Sequence, residues 1–269
     1  MGDTVEAWLN AHPHLVRHDR NWQAWKAAKG FWAGVTLAEL DEPDHGERLC
    51  RRYLMERARS PRTVKFELEI VHRALKWKLK HKAPKLWFPP QRDPQAKYLT
   101  KEEFRRFLEG CKLPHVRLFA ILAVTTGARP SAILEMTWDQ VKFDIGMVEL
   151  NASDRVQSHK QRPAVPMNDR LRAELKEAKA NALTDHVIEW GGGPLGSIKK
   201  GIGSAGQRTG IKVSPYTFRH SACVWMAMDD VPILEIAQFL GHTNARMVER
   251  VYGRFRPSYL RKAAASLEW

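Results

Sequence analysis

Four prolines fall within a short stretch, Pro84, Pro89, Pro90 and Pro94, and they set the plan of the chain. A proline ring fixes φ and removes the backbone N–H, so neither a helix interior nor a central strand continues through such a stretch. It reads as a linker with a boundary near residues 88–98, which divides the 269 residues into a domain over 1–90, a linker over 91–98 and a domain over 99–269. With 43% hydrophobic residues, ten Trp and ten Phe, the chain has enough apolar bulk to build a core on each side.

The first part carries helical periodicity throughout: Val5, Trp8 and Leu9, then Trp22 and Trp25, then Leu49, Tyr53 and Leu54. Its clearest helix starts at Ser60-Pro61, with Ser as cap, Pro at the first helical position and Val64, Leu68, Val71 and Leu75 as the apolar stripe. Arg62, Lys65, Arg73, Lys76, Lys78, Lys80, Lys82 and Lys85 surround that stripe, opposed only by Glu67 and Glu69. Such a density of cations suits a helix lying on phosphates, and suits a solvated face equally well.

Beyond the linker, Thr100-Lys101-Glu102-Glu103 has the form of a reciprocal capping box, followed by Phe104, Phe107 and Leu108 as an apolar face. Leu118 to Val124 is apolar all round and predicts a buried helix ended by Thr126-Gly127, after which Ser131 is expected to cap a helix bearing Ile133, Leu134 and Met136. Val141–Phe143 and Met147–Leu150, separated by Asp144 and Gly146, predict a hairpin, with Ala164–Pro166 as a third strand. The remainder reads as helical, apart from Gly191-Gly192-Gly193-Pro194, expected to be a loop. The fold class expected is therefore multi-domain and mainly α: a helical first domain and an α+β second one, mostly helical with a small three-stranded antiparallel sheet.

Forty-four Lys and Arg against thirty Asp and Glu leave a net charge of +14, shared equally between residues 1–99 and 100–269. A surplus of this size favours polyanions, because neutralised phosphates release condensed counterions, and it makes nucleic acid the leading partner class. Cys50, Cys111 and Cys223 are odd in number and far apart, which favours buried thiols over disulfides or a zinc site. The longest apolar run is too short for a bilayer and the N-terminus does not resemble a signal peptide, so a soluble, cytoplasmic protein with no membrane partner is expected.

Five side chains stand where chemistry on a phosphodiester could be assembled. Arg129 follows Thr126-Gly127-Ala128 at a break between helices, where its guanidinium could fork onto two phosphate oxygens. Arg219 lies in Pro215-Tyr216-Thr217-Phe218-Arg219-His220, and two arginines from separate elements could offset the charge on a five-coordinate phosphorus. His242 follows Leu240-Gly241, at a helix end whose carbonyls it could equally cap. Lys160 lies on the loop before the third strand. Tyr252 sits on a helix with Met247, Val248 and Val251, where it could be a core aromatic or, given cations to help remove its proton, a nucleophile. Arg246, Arg250, Arg254 and Arg256 make that segment positive.

Taken together, Thr126-Gly127-Ala128-Arg129-Pro130-Ser131, Arg219-His220, Leu240-Gly241-His242 and Val251-Tyr252 resemble the tyrosine recombinase, or phage integrase, family, in the right order from about Leu118 to Pro257. Residues 1–90 match only loosely the helical core-site-binding domain of that family. The resemblance implies a site-specific DNA recombinase that clamps duplex DNA and works through a 3'-phosphotyrosine intermediate, with neither ATP nor a metal as cofactor. It also implies a homo-oligomer, a tetramer on paired sites, with accessory DNA-bending proteins as candidate helpers and the C-terminal Ser258–Trp269 as a segment to pack on a neighbour. By the same resemblance Arg129 and Arg219 are the phosphate-clamping arginines, Tyr252 the nucleophile, Lys160 the acid for the leaving 5'-oxygen and His242 a phosphate-orienting group. Arg162 competes with Lys160 for the hairpin position. DNA contacts are expected from Arg62, Lys65, Arg73, Lys76, Arg162 and Arg246.

There are two departures from the family pattern. Tyr216 stands three residues before Arg219 where the family usually has histidine; a phenol donates a hydrogen bond there but is a poor base near neutral pH. Ala132 stands where an acidic residue is common, so support for the first arginine has to come from elsewhere. The chain also starts directly in the helical domain, without an arm-site-binding module, as expected of a simpler recombinase or of a shortened gene. Two further readings follow from the same residues: a recombinase-derived DNA-binding protein with impaired catalysis, and a type IB topoisomerase.

Overall fold

The computed structural model describes residues 1–15, 17–91, 96–152 and 161–268, and the chain divides into two compact units, Met1–Asp93 and Pro94–Trp269. Part of the predicted linker, residues 92–95, lies outside the described residues, as does Lys160.

The first unit is helical: α1 (Gly2–Ala11), α2 (His18–Trp32), α3 (Leu37–Asp41), α4 (Pro43–Arg57) and α5 (Pro61–Leu79). Trp25, Trp32, Leu9, Leu40, Leu68, Ile70 and Leu75 fill its core. Helix α5 begins as its sequence predicts, Ser60 accepting from the Thr63 N–H and Pro61 opening the first turn. One of its acids departs from expectation. Glu67 does not oppose the basic face but is buried, accepting from the Tyr53 hydroxyl at 2.6 Å and from Arg57 Nη2 at 3.1 Å. What remains on the outer face is a stripe at helical spacing, Arg62, Lys65, Glu69, Arg73 and Lys76, with Arg73 reaching Glu69 at 3.7 Å.

The second unit is built on α7 (Pro114–Thr126), whose Leu118 to Val124 are all buried, as an all-apolar helix requires. Against it pack α9 (Asp169–Ala180) and, along most of its length, α11 (Pro215–Met228). Helix α6 (Lys101–Glu109) opens with both halves of the Thr100/Glu103 capping box and packs on α10 (Lys199–Thr209). The three-stranded antiparallel sheet is present with order β1 (Val141–Lys142), β2 (Met147–Glu149), β3 (Ala164–Pro166), in the register Val141 to Val148 and Val148 to Val165.

Two local expectations are corrected. Ser131 does not cap α8 (Pro130–Leu134); Arg129 is the N-cap, because Pro130 takes the first helical position and holds its predecessor extended. Gly191 to Pro194 is not a plain loop but the turn and second strand of a hairpin between β4 (Glu189–Trp190) and β5 (Gly193–Pro194). Gly191 and Gly192 both take positive φ, which the tight turn demands of its two central residues. A smaller core gathers α11 with α12 (Ile233–Phe239) and α13 (Ala245–Tyr252), burying Cys223, Val224, Ile236, Leu240, Val248 and Tyr252. A short α14 (Arg261–Ala265) follows. No described helix is long and apolar enough to cross a membrane.

Candidate active site

Two glycines build the corners from which the site projects. Gly127 ends α7 in the left-handed region at φ +59°, and a Cβ there would meet Leu240 Cδ2 at 2.4 Å. The next residues turn out of the helix, and Arg129, held extended before Pro130, reaches across to donate from Nη1 to the Gln161 main-chain oxygen at 2.7 Å. Gly241 ends α12 at φ +64° and lies so close to the same segment that a Cβ would meet Gln161 O at 2.5 Å and Pro163 Cδ at 2.7 Å. The carbonyl anchoring Arg129 is thus packed against the turn that carries His242. With Ala132 buried in the position expected to be acidic, the neutral carbonyl of Gln161 supplies one of the contacts that hold the arginine.

The end of α12 is closed by two backbone bonds: the Gly241 N–H donates to Gln238 O at 2.9 Å and the His242 N–H to Ala237 O at 2.8 Å, the pair of a Schellman motif. Capping therefore takes the main chain of His242 and leaves its imidazole for another task. That ring meets Arg219, Nη2 to Nε2 at 2.8 Å. Since a guanidinium only donates, Nε2 is the acceptor and the neutral ring carries its proton on Nδ1, a buried atom without a partner among the described residues. Burial, reinforced by Arg219 and Arg129, lowers the His242 pKa to about 4.

Arg219 is the hub. It is 8% exposed, donating from Nη1 to Gly127 O at 2.5 Å and from Nη2 to Leu240 O at 2.8 Å as well as to His242. Both carbonyls stand at helix C-termini, where orphan acceptors and the negative end of the dipole welcome a cation. All three partners are neutral, and a pKa lowered to about 10 by burial and the neighbouring Arg129 still leaves the guanidinium charged near neutral pH. Two guanidinium groups thus stand close enough to repel each other, and the inner one is bonded, among the described residues, to neutral groups.

Tyr252 closes α13 at 6% exposure, its ring in the smaller core and its hydroxyl bonded to His220 Nδ1 and to the Cys223 thiol. Burial pushes its pKa up and Cys223 adds to this, while Arg219 pulls it down. The Cys223 thiol is pushed up to about 12, mainly by burial. The His220 pKa is lowered, first by burial and then by Arg219. His220 and Cys223 were the parts of this arrangement that sequence reading passed over, the first quoted without a role and the second read as an inert thiol. Their spacing of three on a helix, which puts both on one face, was the available signal.

Arg129, Arg219, His242 and Tyr252 thus come together. Tyr216, one helical turn before Arg219, is 55% exposed and within electrostatic reach of it. Arg246 is exposed on α13, its N–H donating to the Asn244 cap. Arg162 is 8% exposed, paired with Glu135 at 2.7 Å and donating to Ser131 Oγ at 3.4 Å, so a carboxylate already offsets its charge. Arg256 pairs with Asp230 at 2.8 Å.

The sequence profile of the phage integrase family matches residues 97–258, which span this whole constellation. Tyrosine recombinase XerA of Thermococcus kodakarensis is 27% identical over 188 residues, covering 68% of this chain and 64% of that protein. The integrase of Salmonella phage P22 is 22% identical over 206 residues, covering 71% of this chain and 52% of its own length. The chain therefore spans between about half and two thirds of these relatives. Among solved structures, the Tn1549 transposon integrase in complex with circular intermediate DNA superposes with TM-score 0.79 at 14% identity, covering 99% of each chain. A lambda integrase dimer bound to a COC' core site gives TM-score 0.72 at 15% identity, over 100% of this chain and 79% of that one. With a family match over more than half of its length, seated on the residues that form the site, the chain belongs to the phage integrase family.

Proposed function

We propose that this protein is a site-specific DNA recombinase that breaks and rejoins strands through a covalent bond between Tyr252 and a 3'-phosphate. The observation that carries the reading is the convergence of Arg219 on His242 and on two helix ends, with Arg129 beside it and the Tyr252 hydroxyl in the same electrostatic neighbourhood. Arg129 and Arg219 take the non-bridging oxygens of the scissile phosphate and offset the charge that grows as the phosphorus becomes five-coordinate. Tyr252 displaces the 5'-oxygen in line, leaving a phosphotyrosine and a free hydroxyl, which a partner strand's hydroxyl later reverses. Lys160, adjacent in sequence to the Gln161 that anchors Arg129, protonates the leaving oxygen, and Tyr216 at the rim donates a hydrogen bond to the phosphate.

The substrate is double-stranded DNA. The stripe of Arg62, Lys65, Arg73 and Lys76 on the outer face of α5 takes backbone phosphates away from the cleavage point, as does Arg246 on α13. Recombination joins two sites, so the working form is an assembly of copies on paired DNA, a tetramer, in the cytoplasm. Accessory DNA-bending proteins are candidate helpers.

The test is to enrich binding sites from a randomised duplex library, rebuild the enriched site with a nick beside each candidate phosphate, and look for a protein–DNA adduct that survives denaturation. An adduct formed by the unaltered protein and lost in Tyr252→Phe supports the reading. Tight binding without an adduct at any nick position overturns it in favour of a DNA-binding protein, and relaxation of supercoiled plasmids lacking the site overturns its site-specificity.

A further inference from the structure

The hydrogen bond between His220 Nδ1 and the Tyr252 hydroxyl, made across the α11–α13 contact, has no place in the roles given above. We propose that His220 is a catalytic residue of the strand-cleavage step, accepting the Tyr252 proton at Nδ1 as the phenolic oxygen bonds to phosphorus. The proposal rests on Tyr252 being the nucleophile.

Three features of the site converge on this role. First, a phenol held near neutral pH needs a base in contact with its hydroxyl, and Tyr216, at the position where histidine is expected, is a phenol itself and 55% exposed. Second, His242 is committed elsewhere: its Nε2 accepts from Arg219 and its Nδ1 carries the ring proton, so it has no free acceptor for the nucleophile. Third, the groups facing His220 keep it neutral and therefore able to accept. The titratable group it touches on α13 is Tyr252; on its own helix, Cys223 bonds the same phenol and Arg219 supplies the charge bearing on the ring. Burial and Arg219 both disfavour the imidazolium, which drives the proton onward once it has arrived.

The O–H bond of Tyr252 breaks and its proton goes to His220 Nδ1 while the new P–O bond forms. The bond from phosphorus to the 5'-oxygen breaks and that oxygen takes a proton from an acid, here assigned to Lys160. The partly exposed imidazole then releases a proton to water. On the return reaction the ring passes a proton back to the departing phenolate. Arg219 serves both ends, stabilising the phosphorane and lowering the phenol's pKa.

The test is single-turnover cleavage of the nicked enriched site as a function of pH, for the unaltered protein, His220→Ala and His220→Asn, with site binding and thermal melting measured alongside. The unaltered protein should lose rate as pH falls through a group titrating below the ordinary histidine range. His220→Ala should bind the site normally but cleave roughly 10²–10⁴-fold more slowly, without that acid limb, and added imidazole should restore at least part of the rate. His220→Asn, which keeps an acceptor but no titratable group, should stay slow. The proposal is overturned if His220→Ala cleaves within about threefold of the unaltered protein, or if His220→Asn recovers both rate and pH profile, either of which leaves only a positioning role. Should His220→Ala melt early, the Asn variant decides by the same criteria. An unaltered protein that forms no adduct overturns the nucleophile assignment as well, so the two failures are distinct.

Discussion

Arg219→Lys separates a phosphate clamp from a structural hub, because it keeps the charge and removes the fork. Arg219 serves three acceptors from two terminal nitrogens: Gly127 O, Leu240 O and His242 Nε2, at 2.5, 2.8 and 2.8 Å. A single ammonium on a flexible stem cannot span the ends of α7 and α12 together, and two of the three acceptors then lose their donor. Buried acceptors left unpaired cost about 1–3 kcal/mol each, so the substitution should destabilise the second unit by roughly 3 kcal/mol. For a unit of this size, about 2–4 °C per kcal/mol turns that into a melting transition roughly 6–12 °C lower. Differential scanning calorimetry of the full chain reads it, with Arg246→Lys on the exposed face of α13 as the control that should not move. If Arg219→Lys melts within about 2 °C of the unaltered protein, the carbonyls are not held as described and Arg219 is a clamp alone.

Three further outcomes are expected. Folding holds the His242 pKa at about 4 against an ordinary 6.5, so the unfolded chain takes up that proton first. The contribution of this site to stability is whole above pH 6.5 and lost as pH falls toward 4, by at most about 3 kcal/mol. Urea midpoints should therefore fall less steeply in that window for His242→Gln than for the unaltered chain, and parallel curves would contradict the burial of a neutral ring. Gly241→Ala forces a side chain to φ +64° and into Gln161 O, costing at least about 1–3 kcal/mol from backbone conformation alone and slowing cleavage by displacing the Arg129 anchor; unchanged melting and cleavage would refute the close approach. Arg62→Ala and Lys76→Ala should each reduce the slope of log affinity against log salt by about 0.9 if each contacts one phosphate, and an unchanged slope removes α5 from the DNA face.

What the sequence made legible was the part governed by local rules. The Thr100/Glu103 capping box, the Ser60-Pro61 helix start, the all-buried α7 and the β1–β2 hairpin each follow from residues within a few positions of one another. The misses have a common cause, a local rule outweighed by a neighbour. Ser131 is a good cap, but Pro130 had already fixed the helix start. Gly191 and Gly192 read as part of a loop, yet two glycines at positive φ are what a tight hairpin turn requires. Glu67 read as a surface acid because its partners, Tyr53 and Arg57, lie on another helix. The same holds at the site: the arginines, His242 and Tyr252 are visible as motif residues, whereas the bond between His220 and Tyr252 joins positions 32 residues apart and exists only once α13 packs on α11.

The most direct measurement is the chemical identity of the protein–DNA link. Trapping the adduct on the nicked site, digesting both components and sequencing the joined peptide by mass spectrometry should give a phosphodiester between the Tyr252 oxygen and a 3'-phosphoryl end, with a free 5'-hydroxyl on the released strand. A link through any other side chain, or to a 5'-phosphate, would contradict the assignment of Tyr252 as the group that attacks.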